Sequence, residues 1–481
     1  MGLMRDAANS DTEMLDFTRA ELGTAGNPLK VAVVGSGPSG FYAAEALLQS
    51  RLTVEVDIIE RLPVPYGLVR FGVAPDHAKL KSVTAVFQGI ARDSRVRYFG
   101  NVTLGIDISI HQLTEMYHGV VVSTGASGDQ RLNIEGEELE GVHAARDFVG
   151  WYNGHPDCAS YHFDLSQEIV TVVGQGNVAI DVCRILSKSV DELRGTDIAE
   201  HALDALAGSR VREIHLVGRR GPVQAKFTSK ELRELGTLEG WQPVIDPKDL
   251  ELNAASLEEL NNPNLANAKK NFEILKGFAE KPLDGRRPLY LDFLQTPVSL
   301  SGDHRLRAVT LERQRLEGDA LNQVARATGE RVVRPSGLLF RSVGYRGKEM
   351  PGVPFDDKRG VIRNKDGRVV DASGQRFPRL YTSGWIKRGP TGIIGTNRAC
   401  SVDTVARLIE DLPMLEAARP GRNALTEYLG QRQQRVVSFA DWLSIEQVEL
   451  DRGRERKKVA EKLVSVSEML AATDVAERAA A

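Results

Sequence analysis

The chain has 481 residues, with 62 basic and 65 acidic side chains for a formal charge of -3, and 42% of its residues are hydrophobic. That length implies two or three domains rather than one small core, and the composition is that of a soluble globular protein. The balanced charge gives no support to a nucleic-acid binder, no run approaches the roughly 20 apolar residues of a membrane span, and Cys158, Cys183 and Cys400 form no CxxC, so neither a redox dithiol nor an iron–sulfur site is expected in the chain itself.

Residues 1–28 mix acids with few bases and no apolar block, which fits neither a signal nor a transit peptide. They read as a mobile extension, with one short helix at Ser10-x-x-Glu13. A β-branched run, Lys30 to Val34, then empties into Gly35-Ser-Gly37-Pro-Ser39-Gly40, and an alanine-rich helix from Phe41 to Leu48 follows. Strand, tight glycine turn and helix in that order form a dinucleotide-binding unit. Gly35 permits the turn, Gly37 lets backbone approach a pyrophosphate, Gly40 lets helix pack on strand, and the helix N-terminus offers free N–H groups to the phosphates. The next strand, Val54 to Ile59, ends in Glu60, where such folds place an acid on the adenosine ribose.

Arg61 to His77 is punctuated by proline and glycine but too apolar for a solvated linker, so it is expected to lie over a ligand. A helix from Lys79 to Asp93, a strand from Arg97 to Leu104 and a buried strand over 119–126 complete the first unit. A second copy of the opening unit follows at Ile169 to Ala179, with Gly174-Gln175-Gly176-Asn177-Val178-Ala179 as its turn. Its next strand, Glu213 to Val217, delivers Gly218-Arg219-Arg220 instead of an acid. Two guanidiniums there suit a ribose 2′-phosphate, which points to NADP rather than NAD.

The stretch 238–271 reads as helical, and Pro288–Leu294 and Ala308–Arg313 as strands that could pair with each other. Gly337 to Tyr345 echoes the strand at 119–126, which gives the chain a way out of the first unit and a way back, so the second fold is expected to be inserted in the first. The expected division is an extension over 1–28, a first domain over 29–127, a second over 128–347, and a return to the first over 348–481 with a helical tail. After the return, a strand leads into the glycine-rich loop Gly384 to Gly395, where Trp385 offers a face for stacking.

VAVVGSGPSGFYAAEALL, RLPVPYGLVRFGVAPDH, VVGQGNVAIDVCRIL, HLVGRRGPVQAKFTSKELREL and SGWIKRGPTGIIGTNRA together resemble the adrenodoxin reductase type of ferredoxin–NADP reductase, especially its actinobacterial members, from residue 29 to about 470. The resemblance implies an α/β protein with two Rossmann-like folds in a glutathione-reductase-like architecture, FAD in the first and NADPH in the second. Electrons would pass by hydride transfer to FAD and then singly to a ferredoxin, a mismatch that flavin chemistry bridges. It implies that Ser39, Glu60, Leu68, Val102, Trp385 and the Gly392-Ile393-Ile394 backbone contact FAD. By the same match Gln175, Gly176, Asn177, Val178, Arg219, Arg220 and Glu231 contact NADPH, Gly392 lies near both, and His77 and Glu234 form a polar pair beside the nicotinamide. One departure is the sequence Asp129-Gln130-Arg131, where the family pattern has Asp-Arg.

A basic docking face for an acidic ferredoxin is expected, with Arg286-Arg287 leading and the run Arg452 to Lys458 second, and the protein is expected in the cytoplasm. Three rivals stand beside this reading: a disulfide reductase, which needs a cysteine pair; an FAD/NADPH monooxygenase; and a dinucleotide-sensing module without turnover.

Overall fold

In the computed structural model, residues 21–415 and 418–480 are described; the helix expected at Ser10 falls outside them. Two sheets organise the chain. The first runs Asn364–Lys365, Arg368–Val370, Arg376–Thr382, Gly119–Val122, Leu29–Val34, Val54–Ile59, Val96–Phe99. Its last five strands are parallel, in the register Leu29 to Val54 and Val31 to Gly119. The second runs Val142–Ala144, Leu338–Arg341, Ile169–Val173, Glu213–Val217, Arg287–Asp292, Trp241–Val244, and is parallel throughout.

Parallel strands are covered on both faces and so read as unbroken apolar runs. Val31, Val33, Val56 and Ile58 are fully buried in the first sheet, as are Val170, Val172, Ile214 and Leu216 in the second. Helix Pro38–Leu48 covers the first sheet and helix Asn177–Ser187 the second, each entering directly from its glycine turn. Phe41 stacks on Phe87 at 4.9 Å in the first core, and Phe148, Trp151, Phe163 and Phe340 cluster in the second.

The second sheet is nested in the first, because strands on both sides of residues 142–341 belong to the first sheet. The outgoing and returning chains lie side by side as a two-stranded antiparallel ribbon, Gly128–Asp129 against Tyr345–Arg346.

Several expected elements differ. Leu22 is buried in the first core and Thr53 donates its N–H to Gly23 O (2.7 Å), so residues 21–28 belong to the first fold rather than to a mobile extension. The helix expected over 79–93 is two, Ala78–Lys81 and Thr84–Ala91. Between them Ser82 and Thr84 hydroxyls take the carbonyls of Lys79 and Lys81, the local competition that small hydroxyl residues offer a helix. The strand expected over 97–104 stops at Phe99.

Residues 238–271 hold an edge strand, Trp241–Val244, before two helices, Ala254–Asn261 and Ala266–Ala279. Pro243 hides it from a helix-and-strand reading and is tolerated because the strand has only one neighbour. Arg287–Asp292 does not pair with Ala308–Glu317. It lies inside the parallel sheet, while Ala308–Glu317 is the middle of a three-stranded antiparallel sheet with Gln295–Ser301 and Val324–Pro335.

Candidate dinucleotide and hydride-transfer site

The two glycine turns are built alike. Gly35 has φ +104° and Gly174 φ +134°, and a Cβ at either would fall 2.6 Å from Ser123 O or 2.2 Å from Ser342 O. Both serines directly follow the strand that pairs with the fingerprint strand, so each turn is wedged by the same neighbour. A Cβ on Gly40 would lie 1.9 Å from Gly35 O; the second unit carries Ala179 in that place, fully buried. Gly37 and Gly176 differ from these. Nothing lies within 4 Å of a Cβ at either, and neither has positive φ, so the local fold does not require glycine there. Such open backbone beside a helix N-terminus fits a pyrophosphate.

Glu60 closes the first turn. Its carboxylate accepts from Ser36 N (3.0 Å), Ser36 Oγ (2.7 Å) and Leu62 N (3.1 Å). Val102 donates its N–H to Glu60 O (2.9 Å) and packs its side chain into the core beside Ile59 and Phe99. Ser39 is buried, and its carbonyl accepts from Ser401 Oγ (2.9 Å). Leu68, at the start of a one-turn helix, is 40% exposed.

In the later loop, Gly384 and Gly392 both have positive φ, and a Cβ on Gly384 would meet Ser39 Oγ at 2.0 Å. The loop is thereby closed down on the first turn. Trp385 stacks on Tyr345 at 5.8 Å and donates Nε1–H to Thr391 O (3.2 Å), Ile394 packs on the first core, and Ile393 is exposed.

In the second fold, Gln175 Nε2 donates to Asp292 O (3.4 Å), Asn177 Oδ1 accepts from Thr228 N (2.8 Å), and Val178 packs on the second core. Arg219 is exposed and Arg220 half-buried at the end of strand Glu213–Val217. Neither forms an ion pair among the described residues. Free guanidiniums at that strand end fit a phosphate.

His77 and Glu234, 157 positions apart, meet at 3.0 Å. His77 is buried at the end of the apolar loop, and Glu234 sits on helix Ser229–Leu235 of the second fold. Glu231, one turn earlier, is buried with an Oε2 that has no hydrogen-bond partner. An acceptor left in this state suits an amide donor such as a nicotinamide carboxamide.

Sequence reasoning missed the group that organises this pair. Arg184, 1% exposed, donates to Asp76 (2.8 and 2.9 Å) and to Glu234 (2.8 Å) and pairs with Asp181 at 3.0 Å, while Lys188 reaches Asp76 at 2.7 Å. Burial works to raise Asp76, but Arg184 and Lys188 outweigh it and bring its pKa down to about 2. Burial wins at Asp181, which rises to about 6. At Glu234 burial is overcome by the His77 hydrogen bond and the Arg184 charge, so its pKa is lowered and it stays anionic. The only sequence signal was Asp181-x-x-Arg184 on one helix face.

Three other basic groups singled out in the sequence find partners in the fold. Arg131 is committed to Glu137 and Glu138. Arg286 is clamped by Asp284 (2.6 Å), and Arg287 lies over the Trp241 ring. Both stand at the amino end of strand Arg287–Asp292, opposite the carboxyl ends that carry the glycine turns, about 17 Å away at strand rise. The run from Arg452 is largely committed: Lys458 is buried against Ile198 O, Glu200 and Glu461, and Arg456, Arg454 and Arg452 pair with Glu200, Asp451 and Glu468, which leaves Lys457 exposed without an ion pair among the described residues.

Two nested dinucleotide-binding folds that meet at a polar pair, buried His77 of the first and half-buried Glu234 of the second, define a flavin- and pyridine-nucleotide-dependent oxidoreductase. Residues 29–235 match the family model described as pyridine nucleotide-disulphide oxidoreductase. The chain is 42% identical over 461 residues to the NADPH-ferredoxin reductase FprA of Mycobacterium tuberculosis, covering 92% of this chain and 98% of that one. It is 43% identical over 458 residues to the mitochondrial NADPH:adrenodoxin oxidoreductase of Salvelinus fontinalis, covering 92% and 90%. A solved structure of the Mycobacterium tuberculosis protein in complex with NADPH superposes with a TM-score of 0.87 at 41% identity, covering 93% of this chain and all of that one. The chain belongs to the adrenodoxin-reductase-type family of NADPH–ferredoxin reductases.

Proposed function

We propose that the chain oxidises NADPH and reduces a ferredoxin-type iron–sulfur protein, with FAD in the first fold and NADPH in the second. The observation that carries this reading is the pair of matched turns with opposite strand-end chemistry, Glu60 in one and Arg219-Arg220 in the other, joined through His77 and Glu234. When bound, the flavin converts a two-electron hydride donor into a one-electron source.

The protein's own part is positioning. Gly37 and Gly176 admit the pyrophosphates, Glu60 takes the ribose, Ser39, Leu68, Val102, Trp385 and Gly392 to Ile394 surround the flavin, and Arg219 and Arg220 read the 2′-phosphate. Glu231 accepts from the carboxamide. Arg184 keeps Glu234 anionic, so that Glu234 holds His77 by its Nε2 and fixes which face of the imidazole meets the nicotinamide.

For the iron–sulfur partner we take the exposed Lys79, Lys230 and Arg233 as the docking bases in place of Arg286 and Arg287. Lys79 follows His77 closely in the chain, and Lys230 and Arg233 share the helix of Glu234, to which Lys230 reaches at 3.6 Å while staying 62% exposed; Leu80, 42% exposed, adds apolar surface next to Lys79. No helix of the described residues is long and apolar enough to cross a membrane, and we assign the protein to the cytoplasm.

A disulfide reductase is disfavoured by the thiols themselves. Cys158 and Cys183 are buried, and burial pushes Cys158 up to about 11 and Cys183 higher still, which leaves them protonated and inert.

The test is spectroscopic. Purified protein should be yellow, bleach on anaerobic addition of NADPH, and regain colour when oxidised ferredoxin is added. Bleaching followed by recovery only with oxygen, coupled to hydroxylation of an added substrate, would instead identify a monooxygenase, and no bleaching would leave a binding module.

A further inference from the structure

The loop from Gly221 to Thr228 lies across the second glycine turn and is fastened to it. Lys226 donates its backbone N–H to Gln175 O (2.9 Å), and Thr228 donates to Asn177 Oδ1 (2.8 Å). Between them Phe227 is buried, and its carbonyl accepts from Asn271 Nδ2 (2.9 Å). The main chain around Lys226 is therefore held in place, and its exposed side chain is the one free to reach a ligand on the turn.

Lys226 and Arg220 line a single cavity of about 300 Å³, together with Asn264, Asn267 and Asn271. Neither base, nor the adjoining Arg219, forms an ion pair among the described residues. The carboxylate in the wall, Glu259, forms no ion pair with them. It is buried, and its oxygens accept from Gln224 Nε2, Gln323 Nε2 and Leu321 N, each at 2.8 Å. Three bases without an ion-pair partner, against the single carboxylate of the wall, leave a net positive site around one turn that suits a multiply charged anion.

We propose that Lys226 is a further specificity residue, a third base that reads the 2′-phosphate of NADPH from the side of the cavity facing Arg220. The inference rests on the assignment of the second fold to NADPH made above. A ribose phosphate carries up to two negative charges near neutral pH. Arg219 and Arg220 offer planar forks, whereas a lysine adds a compact point charge whose geometry is less demanding. The pyrophosphate is the competing target, since Lys226 is fastened to Gln175. The cavity shared with Arg220 at the end of strand Glu213–Val217, rather than with Gly176 at the helix N-terminus, favours the 2′-phosphate.

Binding to the FAD-loaded protein, measured calorimetrically with 2′,5′-ADP, ADP and 5′-AMP, separates these targets. Lys226→Met should weaken 2′,5′-ADP about tenfold and leave ADP and 5′-AMP within twofold, while Lys226→Arg should retain 2′,5′-ADP within about threefold. Weakening of ADP alone, the one probe with a pyrophosphate, would move Lys226 to the pyrophosphate, equal weakening of all three probes would move it to the 5′-phosphate, and no change with any of them would leave it no role; each of these outcomes overturns the proposal. The double variant Arg219→Gln with Arg220→Gln tests the underlying assignment separately. If that variant binds 2′,5′-ADP as the parent does, the reading of the second fold as an NADPH site fails, whatever Lys226 does.

Discussion

Glu60 and Arg219-Arg220 stand at equivalent ends of equivalent strands, and their difference in charge is the clearest chemical distinction between the two folds. Charge-assisted contacts contribute roughly 1.5–3 kcal/mol each. Discounted for the exposure of Arg219, the pair corresponds to about a hundredfold preference for NADPH. Arg219→Gln with Arg220→Gln should therefore lower kcat/KM for NADPH about a hundredfold and leave NADH within threefold. Loss of both cofactors in parallel would show that the arginines support the fold and do not read the phosphate. Asp76 makes a residue-scale prediction of another kind. Its folded pKa of about 2 lies below the ordinary aspartate value near 3.9. Its contribution is therefore fully present above pH 3.9 and lost as pH falls through about 2, and is worth roughly 2–3 kcal/mol when complete. Unfolding free energies of the parent and Asp76→Asn should differ most above pH 5 and converge toward pH 3. A gap that stays constant over that range would mean Asp76 acts only by packing.

At the scale of elements, the strand–turn–helix unit predicts a division of labour among glycines. Gly40→Ala places a Cβ against Gly35 O and should cost at least about 1–3 kcal/mol of stability. Gly37→Ala meets no protein atom, so apo-protein stability should stay within about 0.5 kcal/mol while flavin content after purification drops. If Gly37→Ala purifies with full flavin, the open backbone there does not face the pyrophosphate. This unit was legible in the sequence because its period, glycine spacing and strand-end residue are all local, and the same holds for Ile169 to Ala179. The pairing of Arg287–Asp292 was not legible, since an apolar run of that length fits a hairpin as well as a buried parallel strand. Strand Trp241–Val244 was hidden by Pro243, whose tolerance depends on an edge position that only the assembled sheet defines. His77 and Glu234 came from family resemblance alone, because 157 residues separate them. Arg184 had only its i,i+3 spacing from Asp181 to mark it, for its main partner Asp76 is 108 residues away.

Across the whole molecule, the bases that remain free decide where an acidic partner can approach. Much of the basic charge is consumed internally: the C-terminal segment spends Lys458 on Glu200 and Glu461, and Lys462 on Asp197, which also binds Lys81 at 2.6 Å. Burial, against the attraction of Asp197, draws Lys462 down to about 7, as befits a rivet between folds and not a docking charge. Arg286 is likewise neutralised by Asp284 at the far end of the second sheet. Lys79 and Arg233 stay exposed without an ion pair among the described residues, and Lys230, though it reaches Glu234 at 3.6 Å, is 62% exposed, so on the proposed docking face a partner's cluster would approach the His77–Glu234 contact. Attraction between such a face and an acidic protein acts mainly on encounter and is screened beyond about 8–10 Å at physiological salt. Raising salt should therefore slow ferredoxin reduction while anaerobic flavin bleaching by NADPH changes less. The triple variant Lys79→Gln, Lys230→Gln and Arg233→Gln should raise the KM for ferredoxin about tenfold and flatten its salt dependence. The double variant Arg286→Gln and Arg287→Gln should leave both near the parent. Stopped-flow measurement of the two half-reactions across a salt series decides the matter. A triple variant that keeps the parent's salt slope, or a double variant that loses it, would move the docking face away from the nicotinamide side of the molecule.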